Sequence, residues 1–291
     1  MIVVVGEQIV DRVVQADGSI IDRAGGAPAN VAVALAHLRD DVAMRARISA
    51  DRYGALLRER LTAAGVRTDL LVNAEGASST ALARPDSNGR ARYEFSLDGT
   101  VDWQWTDAEL HGTADGAEAL VVGSLAMGTP PGCAAVERMV AESARVPVFY
   151  DPNLRTSLLR GDERTRVERQ VLLADVVKAS DEDLSFTHPG EDPVEVAGRW
   201  SAGGRLVVIT RGADGSIALR DGDVVAEADA LPVTVADTIG AGDAFLAGLV
   251  HVLTADGDIT DALTFAACVA ALCCTQVGAF APQLDDVLEL V

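Results

Sequence analysis

Asp243 stands directly behind the turn Gly240-Ala241-Gly242 and directly before an apolar run, in the stretch VADTIGAGDAFLAGL. A helix starting near Gly242 leaves the amides of Gly240 to Asp243 as unpaired donors at the positive end of its dipole. Such an end binds an anion without any cationic side chain, and glycines let the backbone approach a phosphate closely. A carboxylate within a turn of that anion is placed to take a proton from a hydroxyl held between them. The alternative reading is that Asp243 only caps the helix. A capping aspartate has little need of Gly-Ala-Gly before it, which favours an anion site with a base beside it.

Other polar residues gather where apolar runs end. They are Glu7 to Asp11, Gly123-Ser124, Asp151-Pro152-Asn153, Lys178 to Asp183, and Thr210-Arg211-Gly212. Asn30 lies one turn into an alanine-rich segment, where asparagine is a poor helix former, so its presence points to a role. Two familiar nucleotide motifs are missing: there is no GxxxxGK[ST], and the first strand is followed by GEQIVD rather than GxGxxG. Lys178 is the sole lysine of the chain, which argues against a lysine-centred phosphate cradle. Cys133, Cys268, Cys273 and Cys274 show no CxxC or Cys/His ligand spacing, and the four histidines are scattered.

The elements that must position these residues are legible as alternating patterns. IVVVG at 2–6 reads as a buried strand, and VVQADGSII at 13–21 as a hairpin around Asp17-Gly18. A glycine turn then leads into a helix from about Pro28, and YGALLRERLTAAG at 53–65 reads as an amphipathic helix. From 69 to 104 the helical period is lost. This reads as a β-rich insertion with a hairpin at Asn88-Gly89, and Trp103 and Trp105 are expected to pack within it. Strand candidates follow at 119–125, 147–152, 175–180 and 206–212, with helices near 131–144, 162–173 and 193–202. Repeated strand–helix units predict a doubly wound, mostly parallel α/β sheet with its site at the carboxyl ends of the strands.

The 291 residues are 49% hydrophobic and carry a net charge of −20. Such a surface repels phosphate backbones, so no nucleic acid and no anionic membrane is expected as a partner. The opening MIVVVGEQIV lacks a basic leader, and no run reaches 18 apolar residues free of charge and glycine. A cytoplasmic protein is expected.

DTIGAGDAFLAGL closely resembles the C-terminal signature of the PfkB, or ribokinase-like, carbohydrate kinases. AGGAPANVAVAL at 24–35 resembles the family's N-terminal signature, and DPNLR (151–155), VKASDED (177–183) and TRGADG (210–215) match family blocks in order. The resemblance covers nearly the whole chain. It implies an ATP-dependent sugar kinase built as one ribokinase-like unit, 1–291, with a small β-lid formed from 11–24 and 69–104. It further implies Asp243 as the base, with the amides of Gly240, Ala241 and Gly242 as the hole for the transferred phosphoryl group. Asp11, Gly25, Gly26 and Asn30 match sugar positions, and Arg155 is expected to contact substrate or active site. Lys178, Ser180, Thr210, Gly212, Gly215 and Gly242 match nucleotide positions. Asp183 is tied to Mg²⁺ through water and Asp237 to a monovalent cation such as K⁺. Family lids often pair between subunits, which implies a homodimer.

Two departures stand out. Ser180 and Asp183 occupy the places of a common Asn-x-x-Glu, and Leu38-Arg39-Asp40 that of a glycine after the first long helix. GGAPAN, where ribokinase-type members read GGKGAN, together with DPNLR resembles fructokinases and 2-keto-3-deoxygluconate kinases. Acid-sugar kinases place a basic residue where Leu97 stands, so a neutral sugar is favoured, fructose first, with ribokinase or nucleoside kinase activity a weaker reading. A silent sugar- or nucleotide-binding protein and an NAD-dependent enzyme are the rival classes; Asp243 speaks against the first and the missing GxGxxG against the second.

Overall fold

The computed structural model describes residues 1–15, 17–85, 91–143, 145–158 and 161–291. The Asn88-Gly89 hairpin expectation lies outside the described residues. Every residue of β1 (Ile2–Val5) is buried. Ile2 and Val4 enter one apolar cluster, Val3 and Val5 another, as the two-residue period of a strand covered on both faces demands. The chain then makes the hairpin β2 (Ile9–Val14) and β3 (Ile20–Gly25) and returns through α1 (Ala27–His37). Next come β4 (Val42–Arg45), β5 (Arg47–Ser49), α2 (Arg52–Ala63) and β6 (Val72–Ala74). A second excursion forms β7 (Thr80–Pro85) and β8 (Ala91–Ser96), followed by the short α3 (Asp107–Leu110).

Strand and helix then alternate: β9 (Ala119–Gly123), α4 (Cys133–Glu142), β10 (Val148–Asp151), α5 (Glu163–Val171) and β11 (Val176–Ser180). They continue with α6 (Asp181–Thr187), α7 (Pro193–Trp200) and β12 (Leu206–Thr210). A hairpin of β13 (Ser216–Arg220) and β14 (Asp223–Ala228) precedes α8 (Ala241–Thr254), α9 (Ile259–Cys274) and α10 (Leu284–Leu288).

Eight strands form the main sheet in the order β14-β13-β12-β11-β10-β9-β1-β4. It is parallel from β4 to β12, and β13 and β14 add an antiparallel edge. Side chains of α1, α8 and α9 pack on one face; those of α4, α5, α6 and α7 pack on the other. A second, smaller sheet has the order β3-β2-β7-β8, with β2 and β7 parallel. Residues 72–74 do not join it, because β6 pairs in parallel with β5. The two tryptophans also part. Trp103 packs beneath the small sheet with Ile9 and Ala81, whereas Trp105 belongs to the main core.

Candidate active site

The parallel registers align the candidate residues at the carboxyl ends of the strands. Asp151 lies opposite Gly123, and Ser180 opposite Thr210. Each strand stops there because the next residues are turn formers, so their side chains and amides face the crevice above the sheet.

Asp243 enters this crevice from α8. It is buried in the first turn of the helix, and Gly240 is the N-cap, with no side-chain cap bond. The capping alternative for Asp243 is therefore corrected, since its carboxylate faces other groups. Asn30 Nδ2 donates to its Oδ2 at 2.7 Å, and Asn153 Nδ2 to its Oδ1 at 3.5 Å. Asp243 lines a cavity with Pro28, Gly123, Ser124, Asp151 and Asn153. Burial raises its pKa, against the lowering effects of Asn30, Arg155, Lys178 and Arg60.

Gly240 adopts φ 81°, and an added Cβ would stand 2.6 Å from Ala279 Cβ. Both the left-handed conformation and the close approach demand glycine. The turn differs from the expected anion hole in one respect. The Ala241 amide donates to Thr238 O at 3.2 Å, whereas the amides of Gly240, Gly242 and Asp243 donate to no backbone carbonyl among the described residues. Lys178 supplies a cation here. Its Nζ sits 3.0 Å from where a Gly242 Cβ would be, and 3.0 Å from Asp151 Oδ2. Lys178 and Asp151 are both buried. Burial pushes Asp151 up to about 6, moderated by Lys178.

Asp11 on β2 faces the same region. Its Oδ2 lies 2.3 Å from where a Cβ on Gly25 would be, so the glycine makes room for the carboxylate. Burial raises Asp11 to about 6; Arg60, Arg155 and Arg23 lower it, and Asp243 raises it. Gly26 is the N-cap of α1 at φ 100°, which delivers Asn30 one turn later. Arg155 is exposed at the rim, with Nη1 on Asn153 Oδ1 at 2.5 Å. It lines a neighbouring cavity with Leu97, Thr129, Leu154 and Arg166.

The remaining positions lie further along the sheet. Ser180 caps α6, and its hydroxyl donates to Asp183 Oδ2 at 2.7 Å. The other Asp183 oxygen accepts the Leu154 amide at 2.7 Å. Thr210, Gly212 and Gly215 form the turn from β12 to β13, closed by the Arg211 amide on Gly215 O at 2.8 Å. Asp237 Oδ1 accepts the Ile239 amide at 3.1 Å and Oδ2 the Gly278 amide at 2.8 Å, tying the turn before α8 to the loop after α9.

Among the described residues no group of three or more His, Cys, Asp or Glu is arranged to hold a metal ion. With both Asp183 oxygens engaged by protein donors, the residues present fit a metal ion carried mainly by a bound nucleotide rather than by the protein. Sequence reasoning missed the Lys178–Asp151 pair, the bond from Asn153 to Asp243, and Arg60. The strand-end position of DPN signalled the first two; nothing in the sequence signalled the third.

The pfkB family carbohydrate kinase model matches residues 1–286. A fructokinase of Klebsiella pneumoniae is 33% identical over 300 residues, covering 97% of this chain and 96% of that protein. A fructokinase of Vibrio alginolyticus is 30% identical, covering 99% and 98%. A crystal structure of a Xylella fastidiosa fructokinase with bound ATP superposes with a TM-score of 0.92 at 27% identity, covering 99% of this chain and 97% of that one. A Vibrio cholerae O395 fructokinase bound to fructose, ADP and calcium ion gives a TM-score of 0.86 at 28% identity, with the same coverage. The doubly wound sheet and the glycine-turned helix that presents Asp243 are thus those of a ribokinase-like fold, and the chain belongs to the pfkB family of carbohydrate kinases.

Proposed function

We propose that the protein transfers the γ-phosphoryl group of ATP to a hydroxyl of a neutral sugar, fructose first, with Asp243 as the general base. The observation that carries this reading is the placement of a buried, Asn30-oriented carboxylate beside the amides of Gly242 and Asp243, which have no backbone acceptor among the described residues, and beside Lys178. The sugar lies against Asp11 and the Asn30–Asp243 pair, with its attacking hydroxyl turned to Asp243. Asp11 accepts sugar hydroxyls, a task suited to a carboxylate with two acceptor oxygens. Asp243 removes the proton of the attacking hydroxyl, and burial makes it a stronger base than a solvated aspartate. Lys178 and the amides at the start of α8 offset the charge on the transferring phosphoryl group.

Mg²⁺ on the nucleotide supplies further neutralisation and orients the phosphates. A monovalent cation, K⁺ in the first place, would be held near Asp237, whose carboxylate oxygens also accept the Ile239 and Gly278 amides. Gly212, Gly215 and Thr210 shape the nucleotide turn. The small sheet closes over the sugar and excludes water. Exposed Ile20 and Ile21 on its edge strand β3 offer a surface to a second copy. The proposed setting is the cytoplasm; among the described residues no helix is long and apolar enough to cross a membrane.

A coupled ADP-release assay over a sugar panel, with and without excess EDTA and in K⁺ against tetramethylammonium buffer, tests the reading. Fructose-dependent ADP release that EDTA abolishes is the expected result, with a higher rate in K⁺. Preferred turnover of 2-keto-3-deoxygluconate or a riboside would replace fructose. Sugar binding with no ADP release would replace the kinase by a silent binding protein.

A further inference from the structure

Arg60 lies on α2 and has no place in any motif of the chain. Its Nη1 is enclosed by protein and has no hydrogen-bond partner among the described residues. The carboxylates that answer its charge are Asp243 and Asp11, and neither closes an ion pair with it. A second orphan lies beside Asp243. Asn30 spends its Nδ2 on Asp243, while its Oδ1 is buried and unpartnered. A buried charged donor and a buried acceptor are both costly when left unpaired. An aliphatic side chain at position 60 would carry no such cost. Retention of the pair is explained if a ligand rich in oxygen supplies the missing partners.

Charge selects the class of ligand. The cations of the crevice are Arg60, Arg155 and Lys178, which act on Asp243, and Arg23, which acts on Asp11; the carboxylates are Asp11, Asp151, Asp183 and Asp243. The cations do not outnumber the carboxylates, so none is left over to hold an anionic substituent. A polyhydroxylated neutral ligand matches this set, since each hydroxyl can accept from a guanidinium and donate to a carboxylate.

We propose that Arg60 is a sugar-binding residue, whose Nη1 donates to an oxygen of the neutral acceptor sugar beside Asp11 and so helps determine which sugars are accepted. The proposal rests on the sugar-kinase reading above. It carries a second consequence for Asp11. The charged groups that face Asp11 are Arg60 from α2, Arg155 from the loop after β10, Asp243 from α8 and Arg23 from β3. Removing Arg60 takes away the cation that does most to keep Asp11 ionised.

The test compares wild type, Arg60→Met and Arg60→Lys. Steady-state rates and calorimetric sugar binding are measured from pH 5 to 9, with melting temperatures alongside. Arg60→Met should raise the KM and Kd for fructose by about 10- to 100-fold, the loss of a charged donor to a ligand, and leave the KM for ATP within about twofold. The acid limb of kcat/KM for the sugar should move to higher pH. Arg60→Lys keeps the charge, so its acid limb should stay in place while the sugar KM rises by a smaller factor. Unchanged sugar KM and Kd in Arg60→Met, or a uniform loss for sugar and ATP that follows a falling melting temperature, would overturn the proposal. If Arg60→Met does not fold, an unchanged sugar KM in Arg60→Lys overturns it equally. Wild type that binds a sugar without turnover defeats the kinase reading alone, and Arg60 is still judged on Kd. Wild type that binds no sugar overturns both.

Discussion

Asn30 Nδ2 on α1 donates to Asp243 Oδ2 on α8 at 2.7 Å, across 213 positions of the chain. An asparagine inside α1 costs a few tenths of a kcal/mol of helix propensity, and here that cost holds a buried carboxylate in one orientation. Asp243→Asn keeps the shape and lets the new amide present its oxygen to Asn30. The expected result is a fall in kcat of about 10²- to 10⁴-fold, the usual contribution of a positioned base. The melting temperature should change by only a few degrees. Stopped assays of ADP release and thermal denaturation of one preparation check both halves, and near-normal kcat would remove Asp243 from the chemistry.

The buried carboxylates make activity and stability respond to pH in opposite directions. Burial raises Glu7 to about 7 and Asp11, Asp102 and Asp151 to about 6, all above their ordinary values near 4. A carboxyl whose pKa is higher folded than unfolded binds its proton more tightly in the folded state. Its stabilising contribution is complete below the unfolded value and is lost as pH rises through the folded one. From about pH 7 down to about pH 4 these groups should therefore stabilise the protein. Over the same interval kcat/KM for the sugar should fall, because Asp11, faced by Arg60, Arg155, Asp243 and Arg23, loses its charge near pH 6. Melting curves and initial rates at matched pH test the opposition; parallel trends would refute it.

The buried Lys178–Asp151 pair joins neighbouring strands at 3.0 Å beneath the Gly242 turn. Lys178→Met leaves Asp151 buried without its partner, a change expected to cost about 3–5 kcal/mol. Adding Asp151→Asn removes the second charge and should restore a large part of that stability, while phosphoryl transfer stays low in both variants. Urea denaturation of the two single variants and the double variant measures the coupling. A single variant that loses less than about 1 kcal/mol, the range of an exposed pair, would show that the pair carries little of the fold.

A methyl on Gly25 would meet Asp11 Oδ2 at 2.3 Å. Gly25→Ala should displace that carboxylate, at a cost of about 1–3 kcal/mol typical of overpacking. The sugar KM should rise while the ATP KM holds. An unchanged sugar KM would mean that Asp11 has room to move without consequence, and would weaken its assignment to the sugar.

The sequence by itself determined the main parallel strands and the glycine turn that presents Asp243. The apolar runs at 2–6, 119–125, 147–152, 175–180 and 206–212 became parallel strands because a strand buried on both faces must be apolar throughout. Asp243 behind Gly240-Ala241-Gly242 was legible because a glycine turn and the helix that follows are local events, encoded within a few residues. The edge hairpin of β13 and β14 is marked in the sequence only by Asp221-Gly222, because the outer strand β14 is largely exposed and carries no buried apolar run. Tertiary structure alone decided which distant side chains meet. Lys178 joins Asp151 across neighbouring strands, Asn30 reaches Asp243 from another helix, and Arg60 Nη1 has no hydrogen-bond partner among the described residues although two carboxylates act on its charge. Only tertiary structure, too, assigned β6 to β5 and Trp105 to the main core. Such pairings depend on register and on the packing of elements far apart in the chain, where burial turns a modest contact into a strong one. No local pattern of residue types encodes them.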